Sequence, residues 1–315
     1  MTIAPPAGRQ GPGPMPGALL QVLDLAIARR AGGALPGDHR APGAGAGTEL
    51  VQLRPYQVGD DVRQLDPAAT ARTGVPHVRL QVPERALTTW VVVDVSPSMA
   101  FGTAQRLKAD VAEGVAGAVG RLATRRGGRV ALITCGGTVE RLLPPRGGRH
   151  AQIAVQRVLA EGVAADGDGR PDGLARALRR AARLARQPGL VVVVSDFRGA
   201  RDWRTPLAAL GARHSLVAVE VRDPREAALP HAGHLALVDP ETGELVEIDS
   251  SIARIRERYA ALEAEERAAV AADLRHARAD HIVLDTSQDW LRELGRRLDR
   301  PRRAPASTTP FGMAS

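Results

Sequence analysis

Three oxygen-bearing side chains follow a short apolar run at alternate positions. They are Asp94, Ser96 and Ser98, and they come directly after the valines at 91–93. Hard divalent cations select oxygen ligands, and Mg²⁺ usually keeps several waters and few protein ligands. We therefore expect a small cation site, for Mg²⁺ or Mn²⁺, where this strand ends. The structural alternative is that these residues cap a helix or stabilise a turn, as Asp and Ser commonly do after a strand.

A second apolar run also ends in oxygen-bearing side chains. Four valines at 191–194 lead into Ser195 and Asp196. In open α/β sheets, ligands lie beyond the carboxyl ends of the strands, so neighbouring strands would bring Asp196 close to Asp94. A third loop, residues 166–173, contains no threonine. Asp172 is its candidate ligand, although it could also be the N-cap of the helix that follows.

The elements that would position these residues alternate along the chain. Continuous apolar strands separated by amphipathic helices predict an α/β fold with a doubly wound, mostly parallel sheet of the Rossmann type. A small hairpin is also predicted towards the C-terminus, around the turn Asp239–Gly243. The predicted strands are 90–95, 129–135, 139–143, 190–195, 215–221, 235–238, 245–248 and 281–285, and the predicted helices are 104–125, 150–161, 172–186, 203–213, 251–278 and a last one from 289.

The predicted organisation has four parts. Residues 1–16, which are rich in Pro and Gly, and residues 301–315 are expected to be disordered tails. Residues 17–87 contain a short amphipathic helix at 17–30, a linker and a segment with short strands. Residues 88–300 form the α/β domain.

The composition is that of a globular protein with a net positive charge. The 315 residues carry a net charge of +8, and a pI near 10.9 raises the question of nucleic-acid binding. We disfavour this interpretation because the arginines are spread over nearly every predicted helix, and aromatic residues, on which single strands stack, are only 3%. A single cysteine, Cys135, excludes an internal disulfide. With no apolar run long enough for a membrane span, we expect a cytoplasmic protein.

Two classes of function remain open beside nucleic-acid binding. A non-enzymatic binding module would hold a cation through the hydroxyls of Ser96 and Ser98 and through waters on the two aspartates, leaving one position for an acidic side chain of another protein. The alternative is a metal-dependent hydrolase or phosphoryl-transfer enzyme. Against it, the chain has neither a nucleophile-elbow nor a Walker A pattern. The His231 and His234 pair has no evident third ligand.

A motif before the first long strand points to a family. Residues 54–63 read RPYQVGDDVR, and the turn at 239–244 reads DPETGE. Together with the serine-rich strand end, these segments resemble the bacterial family called domain of unknown function 58, whose members carry a von Willebrand factor A-like domain. Ion pairs among the charged residues of the motif would hold this segment against the sheet; direct contact with a partner is the alternative. The motif residues are Tyr56, Gly59, Asp60, Asp61, Arg63, Asp66 and Arg72.

The resemblance implies both a site and a partner. The site would be a metal-ion-dependent adhesion site formed by Asp94, Ser96, Ser98 and Asp196, with Asp172 in the third loop. The partner would be a MoxR-type AAA+ ATPase, beside which the protein would act as an adaptor for a client protein during assembly.

Overall fold

A six-stranded sheet forms the centre of the larger of two compact units. The computed structural model describes residues 10–32, 52–80, 87–103, 105–125 and 127–299. One unit contains 1–36 and 87–315, and the other contains 37–86. In chain order the elements are α1 (Gly17–Gly32), β1 (Gln52–Pro55), α2 (Pro67–Thr73), β2 (His77–Leu80), β3 (Thr88–Asp94), α3 (Lys108–Arg125), β4 (Arg129–Cys135), β5 (Leu142–Arg146), α4 (Gly148–Leu159), α5 (Gly173–Leu184), β6 (Leu190–Ser195), α6 (Arg204–Gly211), β7 (Ser215–Arg222), β8 (His234–Val238), β9 (Leu245–Asp249), α7 (Ala253–His276), β10 (Asp280–Asp285) and α8 (Trp290–Asp299).

The strand order in the large sheet is β10-β7-β6-β3-β4-β5. All neighbouring pairs are parallel except β4 and β5, which are antiparallel. The doubly wound, mostly parallel fold predicted from the sequence is therefore confirmed. β3 and β6 are direct neighbours, with Val93 opposite Val194. This register brings the ends of the two strands, and the polar residues that follow them, to the same edge of the sheet.

Side chains alternate between two hydrophobic cores, one on each face of the sheet. On β3, Val91 and Val93 belong to the core that contains buried residues of α1, α3, α4 and α8. Trp90 and Val92 belong to the core that contains residues of α5, α6 and α7. A strand buried on both faces has no polar positions, which explains why these strands read as continuous apolar runs.

The N-terminal helix belongs to the larger unit. From the sequence, we expected it instead to be grouped with the segment 17–87. Leu23 and Ala26 of α1 are fully buried in the core shared with α3 and α8. Residues 10–16, which we expected to lie in a disordered tail, also contact this unit. The carbonyl of Pro12 accepts hydrogen bonds from Trp290 Nε1 at 2.8 Å and from Arg106 Nη1 at 2.9 Å. Residues 1–9 and 300–315 lie outside the described residues.

The predicted hairpin forms a separate two-stranded antiparallel sheet of β8 and β9. None of its strand residues is fully buried. Among the described residues, no helix is both long and apolar enough to cross a membrane.

The smaller unit contains a second two-stranded antiparallel sheet, formed by β1 and β2. The helix α2 lies between these strands in the chain and ends at Gly74, whose φ of +71° is the left-handed conformation that glycine adopts at helix C-termini.

Candidate functional site

The end of β3 positions the first three predicted ligands together. Asp94 Oδ2 accepts a hydrogen bond of 2.6 Å from Ser195 Oγ, and Asp94 Oδ1 accepts one of 3.0 Å from the backbone N–H of Ser96. The chain then leaves strand geometry in a short 3₁₀ turn at Pro97–Ala100. This turn brings the hydroxyl oxygens of Ser96 and Ser98 to 3.1 Å from each other. All three side chains are buried.

A glycine at the end of β4 leaves room for this arrangement. Gly136 has a φ of +87°, which L side chains rarely adopt. A Cβ at this position would lie 2.5 Å from Asp94 Oδ1 and 2.7 Å from Ser96 Cβ. Both the backbone conformation and the available space therefore require glycine beside the aspartate.

Asp196, at the end of β6, is paired with a buried lysine. Lys108 Nζ donates hydrogen bonds of 2.7 Å to Asp196 Oδ2 and 2.6 Å to Glu226 Oε1. Burial alone would raise the pKa of Asp196, but the attraction of Lys108 lowers it below its ordinary value. Asp196 is therefore an ionised carboxylate whose charge is partly offset inside the protein.

Asp94 has a different electrostatic environment. Burial, followed by repulsion from Asp196, raises its pKa to about 6. Its hydrogen-bond donors are the neutral groups of Ser195 and Ser96, and it forms no ion pair with any of the described residues. A buried carboxylate without a positively charged partner is energetically costly. A cation beside it would remove that cost.

These residues line a cavity of about 390 Å³. Its wall includes residues from the third loop, from the segment after β6 and from the β8–β9 turn. Asp172 is exposed, makes no capping hydrogen bond and is not among the lining residues. The lining residues are Asp94, Ser96, Ser98, Gly136, Arg170, Pro171, Leu174, Ser195, Asp196, Arg198, Gly199, Ala200, Trp203, Asp239, Pro240, Glu241 and Thr242.

The donor set suits a hard cation. Ser96 and Ser98 offer two hydroxyls, and Asp94 offers a carboxylate that lacks a positive partner. Within the described part of the chain, no three His, Cys, Asp or Glu side chains are grouped so that they could hold a metal by themselves. An ion at this position would therefore depend on the serine hydroxyls, and oxygen-only coordination favours Mg²⁺ or Mn²⁺ over softer metals.

The motif residues of the smaller unit have mainly local roles. Asp60 forms a two-point ion pair with Arg54, at 2.7 and 2.5 Å, and Arg54 is not in the predicted set. Asp61 and Asp66 accept backbone N–H groups from Arg63 and Ala69 at helix starts.

The other motif residues shape the backbone of this unit or lie at its surface. The backbone N–H of Tyr56 donates to the carbonyl of Pro76, and Gly59 has a φ of +109°. Arg63 and Arg72 are exposed. A partner contact through this surface stays a prediction.

Four residues of the site were not predicted as part of it. Ser195 was noted only as the end of its strand, although the strand register would have placed it beside Asp94. The other three residues, Lys108, Gly136 and Glu241, come from other elements. Their roles depend on contacts with residues that are far away in the sequence. Two signals in the sequence point to Lys108: it is the only lysine of the chain, and it falls where the resembled family places such a residue.

The fold and the site together define a doubly wound α/β domain with a cavity lined by hydroxyls and carboxylates at the ends of two central strands. The chain belongs to the family described as protein of unknown function DUF58, whose sequence model matches residues 52–269.

Similar proteins include uncharacterized proteins of Mycobacterium tuberculosis and Mycobacterium bovis. Each is 39% identical over 286 residues, which is 91% of this chain and 90% of the relative. Among solved structures, BatB of Bacteroides thetaiotaomicron matches with a TM-score of 0.42 and 14% identity, over 67% of this chain and 97% of that one. The VWA domain of SpRpn10 matches with a TM-score of 0.34 and 13% identity, over 70% of this chain and 100% of that one.

Proposed function

We propose that this protein is a non-enzymatic binding module that holds a divalent cation at the carboxyl edge of its sheet. Ser96 and Ser98 would be direct ligands, and Asp94 and Asp196 would hold waters of the cation and balance its charge. The cation would be Mg²⁺ or Mn²⁺. The cation would offer a coordination position to an acidic side chain of a second protein. It would thereby link the two proteins without chemical turnover.

The observation that carries this proposal is the environment of the Asp94 carboxylate. Its carboxylate is buried beside two serine hydroxyls, faces a cavity and has no positively charged partner among the described residues. Asp196, at the end of the neighbouring strand, lines the same cavity. A bound cation gives both carboxylates a common function.

The partner we propose is a MoxR-type AAA+ ATPase, with a client protein handed over during assembly. This part of the proposal is supported by the family resemblance of the motif at 54–63 and the DPETGE turn. An acidic residue of the partner is the chemical group that a cation at this site would recognise.

Calorimetric titration with Mg²⁺ and Mn²⁺ tests the cation site. We expect the wild type to bind either ion and Asp94→Asn and Ser98→Ala to lose at least about tenfold in affinity, or about 1.4 kcal/mol. Glu265→Gln is the control, because it removes an exposed carboxylate on α7. Equal affinities for the wild type and Asp94→Asn, or no binding at all, would contradict the proposal.

The partner is tested with a purified MoxR-type ATPase from the same genome. Binding is measured in one Mg²⁺ buffer for wild type, Asp94→Asn, Ser98→Ala and Glu265→Gln, so that the ion required by the ATPase itself is constant. We expect the two site variants alone to weaken binding. Turnover of a generic phosphoester that is lost in Asp94→Asn would instead favour the enzymatic alternative.

A further inference from the structure

The turn between β8 and β9 contributes an acidic side chain, Glu241, to the wall of the cavity. Asp239, Pro240, Glu241 and Thr242 all line the cavity. The backbone N–H of Ser98 donates a hydrogen bond of 3.1 Å to Glu241 Oε1, across 143 positions of the chain. Ser98 is also one of the two serines whose hydroxyls face each other. Glu241 therefore contacts a residue that we propose as a direct cation ligand.

The third loop makes room for Glu241 instead of supplying an oxygen ligand. A Cβ at Gly169 would overlap Glu241 Oε2 and would lie 3.0 Å from Glu241 Cα. The backbone N–H of Gly167 donates a hydrogen bond of 2.9 Å to the carbonyl of Pro240. The third loop thus holds the turn that carries Glu241.

The turn itself is shaped so that Glu241 has a fixed direction. Asp239 Oδ1 accepts a hydrogen bond of 2.9 Å from the backbone N–H of Glu241. The backbone N–H of Gly243 donates to the carbonyl of Asp239 at 2.8 Å, and Gly243 has a φ of +74°. A turn closed in this way loses little further conformational entropy when its side chain binds.

The hairpin that carries the turn is weakly anchored. Its two strands form their own sheet, and none of their residues is fully buried. Two-stranded hairpins are marginally stable by themselves, and segments with few buried contacts open at low free-energy cost. We therefore expect the turn to be able to leave the cavity, by breaking its hydrogen bonds from Gly167 and Ser98, while the six-stranded sheet stays folded.

We propose that Glu241 is the protein's own acidic ligand and caps the cation site until a partner displaces it. In this proposal its carboxylate would take the coordination position that the proposed function reserves for an acidic side chain of the partner. This inference rests on that proposed function. The site is consequently self-inhibited, and a partner must compete with the β8–β9 turn rather than bind to an open ion.

Bound Mn²⁺ provides a direct test, because the relaxation of water protons reports the exchangeable waters on the ion. In Glu241→Ala we expect about one additional exchangeable water per bound ion, since an octahedral ion replaces a lost ligand with water. Acetate is then the carboxylate probe. We expect acetate to reduce the water-proton relaxation of the Glu241→Ala complex. The acetate concentration needed should be at least about tenfold lower for this variant than for the wild type.

The controls separate this inference from the proposed function. Glu244→Ala removes an exposed carboxylate of the same turn and should behave as the wild type in both measurements. Glu241→Gln tests the charge with the size retained and should bind acetate more readily than the wild type. If Mn²⁺ binds but Glu241→Ala and the wild type give the same water count and acetate response, the cap is wrong and the cation site stands. If the wild type binds no Mn²⁺, both proposals fail.

Discussion

Lys108 Nζ lies 2.7 Å from a carboxylate oxygen of Asp196, and both side chains are buried. The same ammonium is 2.6 Å from Glu226 Oε1. A lysine ammonium is a compact point charge, whereas the planar guanidinium of arginine needs more space. In a chain whose other basic residues, histidines aside, are all arginine, this lysine is a fully buried compact charge between two carboxylates. It fixes the carboxylate of Asp196 beside the cavity.

Replacing Lys108 should be strongly destabilising. In Lys108→Met, the buried carboxylate of Asp196 loses its lysine partner, and Glu226 keeps its ion pair with Arg198, at 3.2 Å. Removing one partner of a buried ion pair typically costs about 3–5 kcal/mol. The free energy of unfolding from urea denaturation measures this loss. Arg141→Met, which removes an exposed ion pair with Glu161, is the control and should cost less than about 1 kcal/mol. Similar losses for the two variants would show that Lys108 does not stabilise the site.

The stability of the metal-free protein should depend on pH through Asp94. Its pKa is raised from 3.8 to about 6 in the folded protein. The folded chain therefore binds more protons at this residue than the unfolded chain between these values, so this contribution to stability falls as the pH rises from about 4 to 6. With a chelator present, we expect the free energy of unfolding of the wild type to fall, relative to that of Asp94→Asn, as the pH rises over this range. A difference that does not change with pH would contradict the electrostatic environment described for Asp94.

Glu220 should show the opposite dependence on pH. Although burial raises its pKa, hydrogen bonds from His281 and Arg222 and the charge of Arg267 lower it from 4.5 to about 2. Its stabilising contribution is therefore complete above about 4.5 and is lost as the pH falls towards 2. We expect Glu220→Gln to be less stable than the wild type at pH 7 and the difference to shrink steadily below pH 4.5. Urea denaturation at several pH values measures it.

Glu220 also connects the sheet to the site. Arg267 Nη1 donates hydrogen bonds of 2.9 Å to Glu220 Oε1 and 2.8 Å to the backbone carbonyl of Asp196. We therefore expect Glu220→Gln to weaken Mn²⁺ binding less than Asp94→Asn does, because it acts on the backbone of Asp196 and not on a proposed ligand.

The sequence predicted those parts of the site that follow from strand direction. Asp94 and Asp196 come together because parallel neighbouring strands end at the same edge, and the apolar runs before them identify these strands. The spacing of Ser96 and Ser98 required only a turn after Asp94, which Pro97 indicated. The fold and the core of the site were therefore accessible from local patterns.

The remaining site residues depend on contacts that no local pattern encodes. Glu241 belongs to the predicted hairpin turn and to the DPETGE segment that carries the family resemblance, but its contact with Ser98 depends on how that hairpin lies over the third loop. Asp172 was selected because it begins a helix in that loop, but the structure has Arg170, Pro171 and Leu174 at the cavity instead. The direction of a side chain in an irregular loop is set by tertiary packing, and the sequence gives no periodicity from which to infer it.

Gly136→Ala should damage the site through lack of space. The added Cβ would lie 2.5 Å from Asp94 Oδ1, and the residue would also have to keep a φ of +87°. Gly127→Ala is the matched control, because Gly127 has a similar φ of +72° but nothing within 4 Å of the added atom. A non-glycine residue in this backbone region costs about 1–3 kcal/mol. Both variants should therefore be destabilised in urea, and Gly136→Ala more so.

Cation binding separates the two glycine variants further. Because the added methyl group of Gly136→Ala displaces the carboxylate of Asp94 and the side chain of Ser96, we expect its Mn²⁺ affinity to fall at least about tenfold, or 1.4 kcal/mol. Gly127→Ala should bind Mn²⁺ as the wild type does, since its strain lies in the turn before β4 and far along the strand from Asp94. Equal affinities for the two variants would mean that the position of Asp94 does not control the ion. In that case the ion would depend on the two serine hydroxyls and on Asp196, and Ser98→Ala would be the variant that weakens binding most.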